Sequence, residues 1–261
     1  MSYYITTFCF GNKYAPILPK WEETVKKTCK HALLRVWDKC DLQLNFGGQY
    51  AWWDLVRLYH NLELLKTNQK PVVHVDLDLI LKKDIEPLIQ LDYDILFSKE
   101  IGEENAFPKE CSQKLGFGIC SGFYVIKPSG LTFMLNVLHR MNEHVYKTYS
   151  DQVTLMNYMV EHEHTIKEET VVLDGVTYSN KVIEIEGIRM GVLDFNIIVR
   201  DPILNGTQFG NHINVDNVGG TQAFLRYFDE DLETLPLTCR CGKAHLGDHG
   251  PCKHKELRIK D

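Results

Sequence analysis

Two aspartates separated by one residue, Asp76 and Asp78, stand where a run of β-branched residues should leave a sheet. The run from Pro71 to Val75 is typical of a strand buried on both faces of an α/β sheet. Ligands of such sheets collect outside the carboxyl ends of the strands, and a buried charge needs a compensating cation or hydrogen-bond donors. The pair therefore predicts oxygen ligands for Mg²⁺ or Mn²⁺ carrying a diphosphate. Taken alone, it is equally typical of a strand-end turn whose aspartates cap a helix or stay solvated.

Two predicted β-α-β units lead to this pair. Residues 3–10 and 32–37 are rich in β-branched and aromatic residues and predict strands around a short helix that begins near Pro19. Such a unit predicts a parallel pair of strands with a right-handed crossover. In residues 49–67 the apolar positions recur at intervals of three and four, which predicts a helix leading into the strand before Asp76.

The second half of the chain supplies further polar positions next to predicted elements. Residues 99–115 are charged and aperiodic, and they predict a surface loop. The small residues of 116–122 lead into an apolar strand that continues to Ile126. Glycines there indicate either close approach of a ligand or another backbone, or a bulge or packing against a bulky neighbour. Ser150 predicts the N-cap of a helix, and the helix macrodipole alone would explain Asp151 in the first turn.

In this order, four stretches resemble the metal-dependent, nucleotide-sugar glycosyltransferases of the GT-A fold: the β-α-β start and residues 73–78, 120–126 and 150–152. A fifth stretch, residues 210–214, falls where retaining members carry a metal-binding histidine. The resemblance covers about residues 3–216. It implies an α/β fold over residues 1–237, with a Rossmann-like, mostly parallel central sheet flanked by helices. It also implies transfer of a sugar from a nucleoside-diphosphate donor, UDP-sugars being favoured, to a glycan or glycoprotein acceptor.

The resemblance implies roles for individual residues. The metal ligands would be Asp76, Asp78 and His212, holding Mn²⁺ or Mg²⁺, although a histidine in a Gly-Asn loop is by itself typical of a solvated side chain. The catalytic pair would be Asp151, which would hydrogen-bond the transferred sugar, and Gln152, near the anomeric carbon. The donor-binding residues would be Thr6, Thr7, Asp76, Ser121, Gly122 and Arg226.

The segment after His212 departs from the family pattern. Retaining members usually follow this histidine with a lysine that grips the diphosphate, and residues 214–224 contain no lysine. Arg226 is a candidate substitute, because a guanidinium binds phosphate in a bidentate manner. An inverting enzyme needs a carboxylate base beside the acceptor hydroxyl, whereas a retaining one can use the leaving phosphate. No carboxylate is marked as that base, so the stereochemistry stays open, with retention favoured.

The last 24 residues, 238–261, form a separate cysteine- and histidine-rich appendage. Four of its side chains would satisfy a tetrahedral structural zinc ion. The chosen ligands are Cys239, Cys241, Cys252 and either His249 or His245. The alternatives are a disordered tail with reactive thiols and a disulfide between Cys241 and Cys252.

Composition limits the other classes of function. A net charge of −6 and a pI near 6.0 disfavour nucleic acid as the main partner. No apolar run reaches the ~18–20 residues that span a bilayer, and the first residues lack a signal-peptide pattern, so we expect a soluble, cytoplasmic protein. Two alternatives remain: a sugar nucleotidyltransferase, which the segment 11–13 matches poorly, and a non-catalytic sugar- or nucleotide-binding scaffold that recruits partners through the zinc tail.

Overall fold

The computed structural model of the protein describes residues 2–9, 14–38, 53–100, 108–200, 208–213, 215 and 220–229. The strands in these ranges are β1 Tyr3–Phe8, β2 Ala32–Trp37, β3 Val72–Val75, β4 Leu79–Leu81, β5 Ile95–Lys99, β6 Ile119–Ile126, β7 His164–Leu173, β8 Val176–Ile185, β9 Ile188–Val192, β10 Ile198–Arg200 and β11 Gly210–His212. The helices are α1 Leu18–Thr28, α2 Trp53–Asn68, α3 Glu86–Gln90, α4 Lys109–Leu115, α5 Leu131–Asn142, α6 Asp151–Glu161 and α7 Thr221–Asp229.

Eight of the described strands form one sheet in the order β2-β1-β3-β6-β5-β9-β8-β7. The pairs β1–β2 and β1–β3 are parallel, which confirms the predicted β-α-β start. The pair β5–β9 is parallel as well. The pairs β3–β6, β5–β6, β8–β9 and β7–β8 are antiparallel. The expectation of a mostly parallel sheet is therefore wrong, because β6 runs against both of its neighbours and β7, β8 and β9 are joined by tight hairpin turns. The fold is mixed α/β, with helices flanking a large central sheet.

Successive residues of the central strands face two separate cores. In β3, Val73 and Val75 belong to the core that includes α1, whereas Val72 belongs to the core that includes α2, α5 and α6. Such alternation is the consequence of the two-residue period of a strand, and it buries both faces of the sheet. The same period places His74, which is fully buried, on the α2 side together with Val72.

Several predicted elements agree with the structure. The second strand spans Ala32–Trp37, as expected. Ser150 caps α6, and its hydroxyl accepts a hydrogen bond from the backbone N–H of Val153 at 3.5 Å. The first strand ends at Phe8, two residues earlier than expected. The expectation of a loop through residues 99–115 is wrong at both ends, because Lys99 completes β5 and residues 109–115 form α4 after Pro108.

A second, small sheet carries the chain back to the turn after β3. Strand β11 lies between β10, to which it is parallel, and β4, to which it is antiparallel. Its register pairs Asn211 with Ile80 and His212 with Leu79. No helix in the described ranges is both long enough and apolar enough to cross a membrane.

Replacing Asn61 with alanine tests the polar chain that links α2 to the sheet. Asn61 is fully buried, accepts a hydrogen bond from Trp37 Nε1 at 2.8 Å and donates one to the Tyr124 hydroxyl at 2.8 Å. Asn61→Ala leaves both groups without this partner, and we expect it to reduce the free energy of unfolding by about 2–3 kcal/mol. Chemical denaturation measures the change, with Asn142→Ala, at the exposed end of α5, as the control. Equal losses of unfolding free energy in the two variants would contradict a stabilising role for the hydrogen bonds of Asn61.

Candidate functional site

The aspartate pair forms the corner between β3 and β4. The backbone N–H of Asp76 donates to the carbonyl of Gly122 at 2.9 Å, and the carbonyl of Asp76 accepts from the N–H of Leu79 at 3.0 Å. Between the aspartates, Leu77 is buried in the core that contains α1. The corner is thus fixed by backbone hydrogen bonds and an apolar anchor, and it holds both carboxylates at the end of a central strand.

His212 meets this corner from the small sheet. One ligand atom each from Asp76, Asp78 and His212 lie within 4.8 Å of one another. His212 Nε2 is 3.1 Å from Asp78 Oδ1 and 3.8 Å from Asp76 Oδ2. The backbone N–H of Ile213 donates to the Asp78 carbonyl at 2.8 Å, which fixes the end of β11 against the corner. Burial lowers the pKa of His212, but the Asp78 carboxylate and the Cys120 sulfur outweigh it and hold that pKa well above its ordinary value.

The guanidinium of Arg57, on α2, joins the corner to helix α6. Its Nη2 is 2.5 Å from Asp151 Oδ2 and 3.2 Å from the Ser121 hydroxyl, and its Nη1 is 3.3 Å from Asp76 Oδ1. Burial lowers the pKa of Arg57, but Asp151, Asp54 and Asp76 raise it above its ordinary value. Arg57 therefore stays charged and holds two carboxylates that are remote in sequence.

Asp76 has a second partner in the buried His74. His74 Nε2 is 2.8 Å from Asp76 Oδ1, and burial together with the charge of Arg57 lowers the pKa of His74. A neutral His74 donates its Nε2–H to Asp76. Burial raises the pKa of Asp76, but the hydrogen bond from His74 and the positive charge of Arg57 outweigh it, so the pKa falls well below its ordinary value. Asp76 is accordingly a carboxylate over the whole working range of pH.

Asp54 is a fourth carboxylate of the cluster. Its Oδ1 is 3.2 Å from Arg57 Nη2, and its side chain keeps 40% of its surface exposed. Desolvation raises its pKa, the charge of Arg57 lowers it, and the charges of Asp151 and Asp76 raise it, with a result of about 6. Burial is the largest cause of this rise, and Asp54 therefore retains its proton to a higher pH than an ordinary aspartate does.

The proposed catalytic pair opens α6. Asp151 is buried, with one carboxylate oxygen accepting from Arg57 and the other accepting from the backbone N–H of Gln152 at 2.7 Å. Gln152 is half-buried at the same helix end. The structure thus brings Asp151 to the aspartate corner through Arg57, although the two positions are 75 residues apart in the chain.

The proposed donor-binding residues lie in several places. Thr6 and Thr7 are buried near the carboxyl end of β1; Thr6 donates to the Val73 carbonyl at 3.3 Å, and the Thr7 hydroxyl has no hydrogen-bond partner among the described residues. Ser121 lies at the corner through its contact with Arg57. Arg226 lies on the exposed side of α7. The assignment of these side chains to the donor stays a prediction.

Gly122 leaves the space into which the His212 ring fits. A β-carbon at this position would lie 2.3 Å from His212 Cε1 and 2.8 Å from Asp76 Oδ2. Real β-carbons essentially never approach other atoms so closely. Of the alternatives for this glycine, packing against a bulky neighbour is therefore the one found among the described residues, and the neighbour is the imidazole of His212.

Three residues of the site were not found from the sequence: Arg57, Asp54 and His74. Arg57 lies on a helix whose leucines indicate packing, and nothing local marks it as buried. A usable signal is the set of carboxylates expected to converge, since several buried aspartates require a buried cation. The zinc ligands proposed in the tail, Cys239, Cys241, His249 and Cys252, and the boundary at residue 238 lie outside the described residues and stay predictions.

A family model described as nucleotide-diphospho-sugar transferase matches residues 49–219, about two thirds of the chain. The matched range includes Arg57, the aspartate corner, Asp151 and His212, and it excludes β1, α7 and the tail. No curated protein matches the chain at a significant level.

Two solved structures show the same fold at low sequence identity. The first is a glycosyltransferase involved in the glycosylation of the major capsid of PBCV-1, with 13% identity, a TM-score of 0.57 and coverage of 88% of this chain and 99% of that one. The second is the apo form of the glycosyltransferase GlyE of Streptococcus pneumoniae TIGR4, with 9% identity, a TM-score of 0.52 and coverage of 89% of this chain and 61% of that one. At these identities the likeness concerns the fold.

Adding a methyl group at Gly122 should separate metal binding from folding. Because the new β-carbon would collide with His212 and Asp76, we expect Gly122→Ala to weaken Mn²⁺ binding at least ~10-fold by displacing these side chains. Calorimetric titration with Mn²⁺ measures the effect. The matched control is Gly191→Ala on β9, which crowds Leu96 and Tyr93 instead and should lower stability without changing Mn²⁺ affinity. Unchanged Mn²⁺ affinity in Gly122→Ala would contradict this account of the site.

Neutralising Asp54 should change how stability depends on pH. The folded protein holds the Asp54 proton up to pH about 6, whereas the unfolded chain releases it near the ordinary pKa of 3.8. The folded state therefore binds more protons in this window, and the contribution of Asp54 to stability falls as pH rises from about 4 to about 6. We expect Asp54→Asn to gain stability relative to wild type through this window and to keep the gain above it. Urea unfolding without added metal at several pH values measures the difference, with Asp92→Asn, at an exposed carboxylate paired with Arg189, as the control.

Proposed function

The chain belongs to the nucleotide-diphospho-sugar transferase family, and from this premise we propose that it transfers a sugar from a nucleoside-diphosphate donor, favoured as a UDP-sugar, to a glycan or glycoprotein acceptor. The observation that carries the proposal is the convergence of Asp76, Asp78 and His212 at the end of β3. Family membership supports a nucleotide-sugar donor, and the cluster supports the end of β3 as the proposed place for its diphosphate. The identity of the nucleobase, of the transferred sugar and of the acceptor belongs to the proposal.

The three side chains fit a divalent cation. Two carboxylates supply hard oxygen ligands and His212 supplies an imidazole nitrogen, a mixed set that suits Mn²⁺ and is less typical of Mg²⁺. The site also carries four carboxylates beside one guanidinium and the His212 ring, so negative charge is in excess and a bound cation would reduce the repulsion between the carboxylates. A bound cation supplies Lewis-acid stabilisation of the negative charge that develops on the departing diphosphate.

Arg57 and Asp151 prepare the site for the transferred sugar. Each oxygen of a carboxylate can accept more than one hydrogen bond, so Asp151 can still accept from a sugar hydroxyl while it is held by Arg57 and by the Gln152 N–H. Because these contacts are formed before the donor arrives, the carboxylate needs little reorientation when the sugar enters. Gln152, next to it, is proposed to lie near the anomeric carbon.

We propose that the anomeric configuration is retained. The metal-binding histidine is a feature of the retaining enzymes that the sequence resembles, and the leaving phosphate can take the acceptor proton. An inverting enzyme would need a carboxylate that reaches the acceptor, and the candidate is Asp54, whose side chain is 40% exposed and which is not one of the proposed metal ligands. The anomeric proton coupling of the product, measured by NMR, distinguishes the two outcomes.

Binding of nucleotides tests the proposed donor class. Because a ligand that binds the native state stabilises it by mass action, UDP with Mn²⁺ at about 100 times its Kd should add about 2.7 kcal/mol and raise Tm by roughly 5–10 °C. GDP with Mn²⁺, and UDP without metal, should give much smaller shifts. Asp78→Asn should abolish the metal-dependent part, whereas Asp174→Asn, at an exposed hairpin position, should behave like wild type. Stabilisation by UDP that needs neither Mn²⁺ nor Asp78 would contradict the metal-assisted mechanism.

A further inference from the structure

The two nitrogens of the His212 ring face different neighbours. Nε2 faces the carboxylates, at 3.1 Å from Asp78 Oδ1, and Nδ1 is 3.5 Å from the sulfur of Cys120. His212 is buried, and Cys120 is buried beneath it. The imidazole thus has one edge toward the proposed cation and the other toward strand β6.

The strand β6 forms a seat for this second edge. A β-carbon on Gly122 would lie 2.3 Å from His212 Cε1 and 2.9 Å from Nδ1, so the missing side chain leaves space for the ring edge. Two residues earlier, Cys120 reaches Nδ1, while Ser121 between them contacts Arg57 on the other side of the strand. The cysteine and the glycine thus both contact the imidazole, whereas Ser121 contacts the guanidinium.

The backbone around Cys120 is held in place by the neighbouring strand. The pairing of β5 with β6 shifts register between Phe97 and Ser98, and the Ser98 hydroxyl donates to the Cys120 carbonyl at 3.0 Å. A bulge at this point bends the strand and re-aims the side chains that follow it. The sulfur therefore meets His212 from a fixed position.

A histidine that ligates a metal through Nε2 must carry its proton on Nδ1, because neutral imidazole has one N–H. That buried N–H needs an acceptor, and the partner of the second nitrogen sets both the tautomer and the orientation of the ring. Carboxylates and carbonyls are the usual partners, whereas a thiol sulfur is a weak acceptor. The contact at 3.5 Å is within the range for sulfur.

We propose that Cys120 is the positioning residue of His212: its sulfur accepts the Nδ1 proton of the ring, so that Nε2 presents its lone pair beside Asp76 and Asp78. The proposal rests on the proposed metal site. Cys120 acts through His212, because its sulfur lies at the nitrogen opposite to Nε2 and Cys120 is not one of the three clustered ligand residues.

Mn²⁺ binding to cysteine variants of the full chain tests the proposal. Calorimetry gives the affinity, and pulsed electron paramagnetic resonance of bound Mn²⁺ detects the hyperfine coupling of a directly bound histidine nitrogen. We expect Cys120→Ala to weaken Mn²⁺ binding about 10- to 100-fold and to reduce the nitrogen coupling. Cys120→Ser keeps an acceptor on a shorter bond and should lie between alanine and wild type. The matched control is Cys111→Ala, which truncates another buried cysteine, one that contacts Asn157 instead.

The outcomes separate this proposal from the proposed function. Wild-type affinity together with an undiminished nitrogen coupling in Cys120→Ala would overturn the role of Cys120 and leave the metal site intact. If the wild type shows no Mn²⁺ binding, the proposed function fails instead. If Cys120→Ala does not fold, Cys120→Val fills the space of the thiol without an acceptor and takes its place in the comparison. His212→Ala identifies the nitrogen signal, because it should remove the coupling altogether.

Discussion

One buried guanidinium holds the site together. Arg57 is nearly inaccessible to solvent, and it contacts carboxylates at the start of α2, at the end of β3 and at the start of α6. A buried arginine without these partners would carry an uncompensated charge, and the buried Asp151 without Arg57 would do the same. Each charge therefore requires the other, and the three elements can pack in this arrangement because their charges meet at one point. The packing of α2, β3 and α6 therefore depends on the charge pairs of the site, and the site in turn depends on that packing.

The cluster around Arg57 carries more negative than positive charge. Arg57 and the His212 ring, whose pKa is held well above its ordinary value, are the two cations of the cluster, and Asp54, Asp76, Asp78 and Asp151 supply four carboxylates. Asp76 is kept ionised by His74 and Arg57, so the protein cannot reduce the repulsion by protonating the residue that leads the corner. Burial, together with the charges of Asp151 and Asp76, raises the pKa of Asp54 to about 6. A divalent cation at the corner would relieve the same repulsion from the other side, and this makes the metal proposal more than a motif match.

The sequence predicts the local elements better than it predicts their arrangement. Ala32–Trp37 and the Ser150 cap are correctly predicted because strand composition and cap chemistry act within a few residues. The direction of β6 depends on how the chain returns across the sheet, which no window of sequence contains, and the mostly parallel sheet was wrong for that reason. Arg57 was missed on similar grounds, since its partners Asp76 and Asp151 are 19 and 94 residues away. Short motifs therefore identify Asp76 and Asp151, but they do not identify Arg57, which joins the two.

The position of His212 shows how far the site depends on backbone pairing. The ring is brought to Asp78 from 134 residues away by the short strand β11, whose register pairs His212 with Leu79 and the Ile213 N–H with the Asp78 carbonyl. A slip of one residue along β4 would turn the imidazole to the opposite face of the strand, away from the corner. The fit of the His212 ring stabilises this register of β11 against β4, because Gly122 leaves space for the ring and Cys120 contacts it at its present position. The contacts that orient the imidazole toward the carboxylates therefore also favour the observed pairing of β11 with β4. The geometry of the proposed metal site and the register of the small sheet depend on each other.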